Sequence, residues 1–337
     1  IKVLPGRRRT YKNETAEISW QRPGRLYYRD RLCCGSVLYW KTGDGGFLEP
    51  PFFFDLETSL YKKRYPQNVE KDVDNMRKRI KLTVAYDGTN YCGWQIQPNG
   101  LTVEEVLNKK ISALTGEDIK VIGASRTDSG VHALGNVAVF DTESSIPPQR
   151  FAYALNQKLP EDIVITDSRE VPADWHPRYQ DNISKIYEYH IYNGPVPAPM
   201  KRCYAAFVSF PLDIEKMRMG ADYLIGEHDF ASFCNVRTNT EDTVRTIEDI
   251  QILIQEKRTE EDSFPGGREI VIRIKGNGFL YNMVRIIVGT LIRVGRGFYE
   301  PEKVEQILQM RKRTEAGVTA PPQGLVLVKI LYGESEK

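Results

Sequence analysis

The stretch Gly123-Ala124-Ser125-Arg126-Thr127-Asp128-Ser129-Gly130-Val131-His132-Ala133 holds the residues of this chain best suited to chemistry. Asp128 offers a carboxylate that can act as nucleophile or base, and Arg126 stands two residues before it. Gly123 and Gly130 allow a ligand to approach the backbone closely. Taken alone, Thr127-Asp128-Ser129-Gly130 also reads as a plain turn, because Asp bonds its own backbone and Gly accepts positive φ. A second feature is Arg285 within Met283-Val284-Arg285-Ile286-Ile287-Val288-Gly289. A guanidinium in an apolar helix must be paired or reach water along its stem, since burying it alone is costly. Arg285, Gly289, Ile292 and Arg296 fall on one helical stripe. That stripe reads either as a solvated face or as one needing an acid from another segment. The third feature is Lys185-Ile186-Tyr187-Glu188-Tyr189-His190-Ile191-Tyr192-Asn193, in which Tyr187, Tyr189 and Ile191 share one face of a strand and Tyr192 lies on the other. Aromatic stripes on strands fill cores, and they also stack unpaired bases.

The elements that must position these residues alternate irregularly, which predicts an α+β fold. Ile80, Leu82, Val84 and Tyr86 alternate with Lys81, Thr83 and Ala85 as a strand. Thr102-Val103-Glu104-Glu105 is a capping box opening a helix that Gly116 stops. Strands are expected at Ile119–Ile122, Val137–Phe140, Ile163–Ile165 and Lys185–Tyr192, with a helix from Pro148. Pro195, Pro197 and Pro199 break the chain. Beyond them come a helix from an Asp213 cap to Gly226, strands at Ile247–Ile254 and Ile270–Ile274 around a polar loop, an apolar helix over Leu280–Val294, a helix after Pro301 and a strand at Leu325–Leu331. Each side of the proline break thus repeats a similar order, which predicts two related halves, 76–194 and 195–333, with mixed and antiparallel sheets joined centrally and flanked by helices.

Composition narrows the classes. The 337 residues are 41% hydrophobic and 27% charged, with a net charge of +2, as in an ordinary globular protein rather than a highly basic tail. No run approaches the ~18 to 20 apolar residues of a membrane helix. The five cysteines form no C-x-x-C pair and the four histidines are scattered, so neither a structural zinc site nor a disulfide framework is expected, and a cytoplasmic setting is. Residues 1–75 lack sustained periodicity and contain no methionine before Met76. They are expected to be a poorly ordered extension, or sequence upstream of the natural start. An Arg-rich RNA-binding arm or transit peptide is the weaker reading, because acidic residues interrupt the segment from Glu14 onward.

From Lys81 to Tyr332 the chain resembles the bacterial tRNA pseudouridine synthase A family. The matching motifs are Tyr86-Asp87-Gly88-Thr89-x-Tyr91-x-Gly93-Trp94-Gln95, Arg126-Thr127-Asp128-x-Gly130-Val131-His132-Ala133, Lys185-x-Tyr187-x-Tyr189, Gly226-Glu227-His228-Asp229-Phe230-x-Ser232-Phe233, Met283-Val284-Arg285-x-Ile287-Val288-Gly289 and Ala320-Pro321-Pro322-x-Gly324-Leu325. The family usually has Gly where Ser125 stands, Ala at Ser129 and Gln at Asn136. The resemblance implies the pseudouridine synthase fold and an isomerase that detaches uracil from ribose, rotates it and reattaches it through carbon 5. It implies Asp128 as the catalytic aspartate, Tyr187 as the active-site tyrosine and Arg285 as the basic partner that lowers the aspartate pKa. Arg126 resembles the arginine that takes the place of the extruded nucleotide, and Thr127, Gly130, His132 and Tyr189 join it as substrate-binding residues. The implied substrate is the anticodon arm of tRNA with uridines at positions 38 to 40, bound by a homodimer without metal or cofactor. Arg178, Lys201, Arg202, Arg237 and Arg245 are candidate phosphate contacts. Two other readings stand beside this one. A non-catalytic tRNA-binding or chaperone protein could use the same scaffold, and a retaining glycosidase would need a second acid beside Asp128.

Overall fold

The computed structural model describes residues 77–235, 242–255 and 267–333, together with the backbone of a short antiparallel ribbon, β1 (Trp40–Lys41) with β2 (Phe47–Leu48). The chain divides into two units, Ile1–Val73 and Asp74–Lys337. The ribbon apart, the expectation for residues 1–75 lies outside the described residues.

The second unit is organised on one sheet. Strand β3 (Lys78–Tyr86) has the predicted period of two, and Ile80, Leu82 and Val84 are completely buried. Each such side chain contributes roughly 1.5–3 kcal/mol relative to exposure. Helix α1 (Val103–Thr115) starts where the side chain of Thr102 accepts a bond from Glu105 N, and ends at Gly116 with φ 78°. It buries Val103, Val106, Leu107 and Ile111. The strand expected at 119–122 shrinks to β4 (Ile122–Gly123). Side chains of α1 take the backbone donors instead, Ser112 Oγ from Ile119 N at 2.9 Å and Asn108 Oδ1 from Val121 N at 2.8 Å. Then come β5 (His132–Thr142), α2 (Phe151–Asn156) after a 3₁₀ turn at Pro148–Arg150, β6 (Ile163–Val171) and β7 (Ser184–Asn193).

After the proline break follow β8 (Ala206–Val208), α3 (Ile214–Asp222), β9 (Gly226–Asp229), β10 (Val244–Gln255), β11 (Arg268–Gly276), α4 (Met283–Gly295), α5 (Lys303–Met310) and β12 (Leu325–Leu331). Helix α3 stops short of Gly226, which opens β9 with φ 108°. Helix α4 begins at Met283 rather than Leu280, because Asn282 takes a left-handed φ of 61°.

The strands run in the order β6-β3-β5-β12-β7-β11-β10-β9, with β4 on β5 and β8 on β7. Along that order every pairing is antiparallel except β5 with β12, where the two halves join. Strand β7 precedes the proline break yet pairs with β11 and β12, so in the sheet it sits with the later strands. One row of partners, Tyr86, Ala133, Leu327, Tyr187, Ile274 and Ile250, crosses six neighbouring strands. Residues directly opposite share a face. All six are buried, and Ile274 belongs to the same apolar core as Met217 of α3 and Ile286 of α4. The reverse face carries charge, including the Arg273–Glu188 pair at 3.2 Å and the Lys275–Glu248 pair at 2.6 Å.

Candidate active site

Asp128 lies on the loop between β4 and β5, and the loop is tied down on every side. Thr127 O accepts from Trp94 N at 3.1 Å, Gly130 N donates to Tyr91 O at 3.3 Å, and Val131 N closes a turn onto Asp128 O at 3.1 Å. Gly93 permits that approach, since a Cβ there would stand 2.5 Å from Thr127 O, and its φ is +83°. Asn136 of β5, wholly buried, accepts from Ser125 N at 3.3 Å and donates to Ser125 O at 3.0 Å. Thr127 Oγ1 meets Tyr86 Oη at 2.7 Å. The predicted turn is therefore real, and it is also a fixed platform for one carboxylate.

Arg285 reaches that carboxylate from the first turn of α4. Its Nη1 donates to Asp128 Oδ2 at 3.1 Å and to Asn282 Oδ1 at 2.8 Å, and its Nε donates to Ala320 O at 2.7 Å. The segment carrying Ala320 crosses α4 at Gly289, where a Cβ would fall 1.8 Å from Val318 O. Gly317 N also donates to Thr290 Oγ1 at 2.9 Å. The small residue in the helical stripe thus admits a chain segment that hands a carbonyl to Arg285. At the other end of the stripe Arg296 lies 3.6 Å from the Phe210 ring centroid. The stripe is therefore paired at one end and stacked on a ring at the other.

The Asp128 and Arg285 side chains are 17% and 14% exposed. Burial lifts the Asp128 carboxyl above the usual carboxylate range, and Arg285 pulls it only part of the way back. Arg285 therefore lowers the aspartate pKa as expected of a basic partner, while desolvation leaves the net shift upward. Among the described residues, Oδ1 of Asp128 accepts no hydrogen bond, so one oxygen keeps its lone pairs available.

Tyr187 packs edge-on against Phe279 with ring centroids 5.3 Å apart, and its hydroxyl lies 2.9 Å from Ser125 Oγ. Burial pushes the phenol up to about 12. Lys185, two residues earlier and on the same face, donates to Ala124 O at 3.2 Å and Ser125 Oγ at 3.4 Å. Desolvation, with Arg178 and Arg245 nearby, brings its amine down to about 8. Lys185, Ser125, Asn136, Asn282 and Phe279 were not singled out from the sequence as site residues. For Lys185 the signal was present, since the period of two that joins Tyr187 to Tyr189 includes it.

Of the residues expected to bind substrate, Arg126 is exposed and Gly130, with φ 76°, half-buried. The other residues expected there have polar atoms already bonded within the protein. His132 Nδ1 accepts from Gly88 N at 3.0 Å and Nε2 faces Cys203 O at 2.9 Å, so both ring nitrogens are occupied. Tyr189 is fully buried and donates to Pro321 O at 2.7 Å, while the Thr127 hydroxyl is held by Tyr86. Among the candidate phosphate contacts, Arg178 and Arg202 are exposed, Lys201 is ion-paired with Glu269, and Arg245 lies 3.6 Å from Asp242. Arg237 lies outside the described residues. Among the described residues no group of acids, cysteines and histidines could hold a metal, and no helix is long and apolar enough to cross a membrane.

Comparison with known sequences follows the same residues. The profile of a family described as tRNA pseudouridine synthase matches 82–180 and 221–333, the spans holding Asp128 and Arg285. A protein named tRNA pseudouridine synthase A from a Thermoanaerobacter species is 48% identical over 255 residues, covering 76% of this chain and 100% of the relative. Proteins of the same name from Acetivibrio thermocellus and Exiguobacterium sibiricum are 47% and 43% identical, covering 76% and 77% of this chain and 100% and 99% of their own lengths.

Proposed function

Because the chain belongs to the tRNA pseudouridine synthase family, we propose that it isomerises uridine to pseudouridine in tRNA with Asp128 as the nucleophile. The reaction breaks the bond from ribose C1′ to uracil N1 and makes one from C1′ to C5. C5 loses a proton and N1 gains one, so the atoms balance without an oxidant. The observation that carries the reading is the contact of Arg285 with one oxygen of Asp128 at 3.1 Å, which leaves the other oxygen unbonded. A nucleophilic carboxylate must be ionised where water is scarce, and there a guanidinium favours the charged form. Arg285 also fixes the orientation of the carboxylate, itself held by Ala320 O and Asn282 Oδ1. Tyr187 and Phe279, edge to face with centroids 5.3 Å apart, offer rings against which a base can stack. Arg126, exposed beside Asp128, is available to fill the stack that the flipped nucleotide leaves.

On the same reading the target lies in the anticodon arm, at uridines 38 to 40, and the working unit is a cytoplasmic homodimer. The exposed Arg178 and Arg202 contact phosphates. The test is Asp128→Ala, assayed by nucleoside chromatography of digested tRNA alongside tRNA binding. Pseudouridine is expected to vanish while binding persists. Unchanged product would overturn the assignment of the nucleophile, and a wild-type chain that binds tRNA without converting it would favour a pure binding protein.

A further inference from the structure

The proposed mechanism does not use Lys185, a half-buried cation whose ammonium lies against the loop that carries Asp128. Lys185 points along the face of β7 that carries Tyr187, and the Ser125 hydroxyl stands between them, 3.4 Å from Lys185 Nζ and 2.9 Å from Tyr187 Oη. We propose that Lys185, acting through Ser125, fixes the direction of the Tyr187 hydroxyl and so makes Tyr187 a hydrogen-bond donor to a carbonyl oxygen of the bound base. The inference rests on the reading above and deepens it.

The direction follows from proton counting. An ammonium has donors only, so Ser125 Oγ must accept from it. Among the described residues Ser125 Oγ pairs only with Lys185 Nζ and Tyr187 Oη, so its own proton is satisfied only by donation to Tyr187 Oη, an arrangement that turns the phenol proton away from Ser125. That proton is free for another acceptor. Ala124 O takes a second Lys185 donor at 3.2 Å and holds the ammonium in place. A neutral amine, by contrast, can accept from Ser125, which lets the chain reverse and draws the tyrosine proton away from the base. The groups that set the balance are the two arginines facing Lys185, Arg178 and Arg245, together with its burial, and they bring the amine to about 8. Tyr187 stays neutral throughout, its phenol pushed up to about 12. Lys185 and Ser125 are thus positioning residues, since neither touches the reacting atoms.

The experiment is the pH dependence of kcat on tRNA for the full chain and for Lys185→Arg, Ser125→Ala and Ser125→Thr, with circular dichroism and tRNA binding as folding controls. For the unaltered chain, kcat is expected to fall as pH rises through about 8, and in Lys185→Arg this limb should move beyond the measurable range because arginine stays charged. Ser125→Ala should lower kcat about tenfold with KM unchanged, the scale of one lost hydrogen bond to a charged network, and Ser125→Thr should restore it. A limb that stays near 8 in Lys185→Arg would overturn the proposal, and so would full kcat in Ser125→Ala. Asp128→Ala separates the two readings. If it is inactive while Lys185→Arg keeps the limb, the positioning chain fails alone; if Asp128→Ala is active, the nucleophile fails.

Discussion

Two arginine–aspartate pairs in this fold use the same chemical groups to opposite ends. Arg79 and Asp141 face each other directly across β3 and β5 and meet twice, Nε to Oδ1 at 2.7 Å and Nη2 to Oδ2 at 2.8 Å. The guanidinium holds the Asp141 carboxyl below the usual range, and both oxygens are spoken for. Arg285 and Asp128 are 157 residues apart and meet once, at 3.1 Å, and the Asp128 carboxyl is raised by burial. A bidentate pair on adjacent strands is a structural clasp. A single contact that leaves an oxygen unbonded in a mostly buried site suits the nucleophile proposed above. The difference lies in geometry and desolvation, not in residue type.

The sharpest way to break this comparison is to remove each acid in turn. Asp128→Ala should lower turnover by on the order of 10⁴-fold, as for other nucleophiles, with little change in melting temperature. Asp141→Ala should do the reverse, keeping kcat while lowering stability by about 1–3 kcal/mol in urea unfolding. Equal effects on both quantities in both variants would erase the distinction. Arg285→Lys comes next. It keeps the charge but cannot serve Asp128, Asn282 and Ala320 together, so kcat should fall about 100-fold with tRNA affinity retained. Gly289→Ala tests whether the crossing segment positions Arg285. A Cβ 1.8 Å from Val318 O must displace that segment. Stability should fall by about 1–3 kcal/mol, and kcat should fall with it.

The smallest effect is the order of events on acidification. Asp141, with its folded pKa depressed, stabilises the fold above its unfolded value and loses that contribution as pH falls through the depressed value. Asp128, with its folded pKa raised, is disfavoured when ionised, so taking up a proton relieves the fold rather than weakening it. On lowering the pH, activity should therefore disappear first, above the ordinary carboxylate pKa, while circular dichroism still reports a folded chain. Unfolding that precedes or coincides with the loss of activity would contradict the assignment.

Much of the scaffold was legible before any coordinates. The period of two in β3 and β7, the Thr102 cap and the Gly116 stop are local facts, set by which side chains can bury and which backbone groups need partners. The strand at 119–122 was misjudged because distant α1 side chains claimed its donors. In the site, Asp128 and Arg285 stood out singly, one as a carboxylate in a glycine-flanked turn and the other as a charge in an apolar helix. For His132 and Tyr189 a sequence motif does not reveal that their polar atoms are bonded to backbone.

By itself the sequence determined that an arginine in an apolar helix must either reach water or meet an acid, that tyrosines share one face of a strand and that the chain carries the motifs of its family. These follow from periodicity and from the cost of burying charge, which act over a few residues. The resemblance already paired that arginine with Asp128; only the tertiary structure decided that they meet through one oxygen and that burial raises the carboxyl pKa. The same holds for the ammonium that sits behind Tyr187 through the hydroxyl of Ser125. Desolvation and hydrogen-bond direction depend on what the rest of the chain brings within about 3 Å, and linear order does not contain that information.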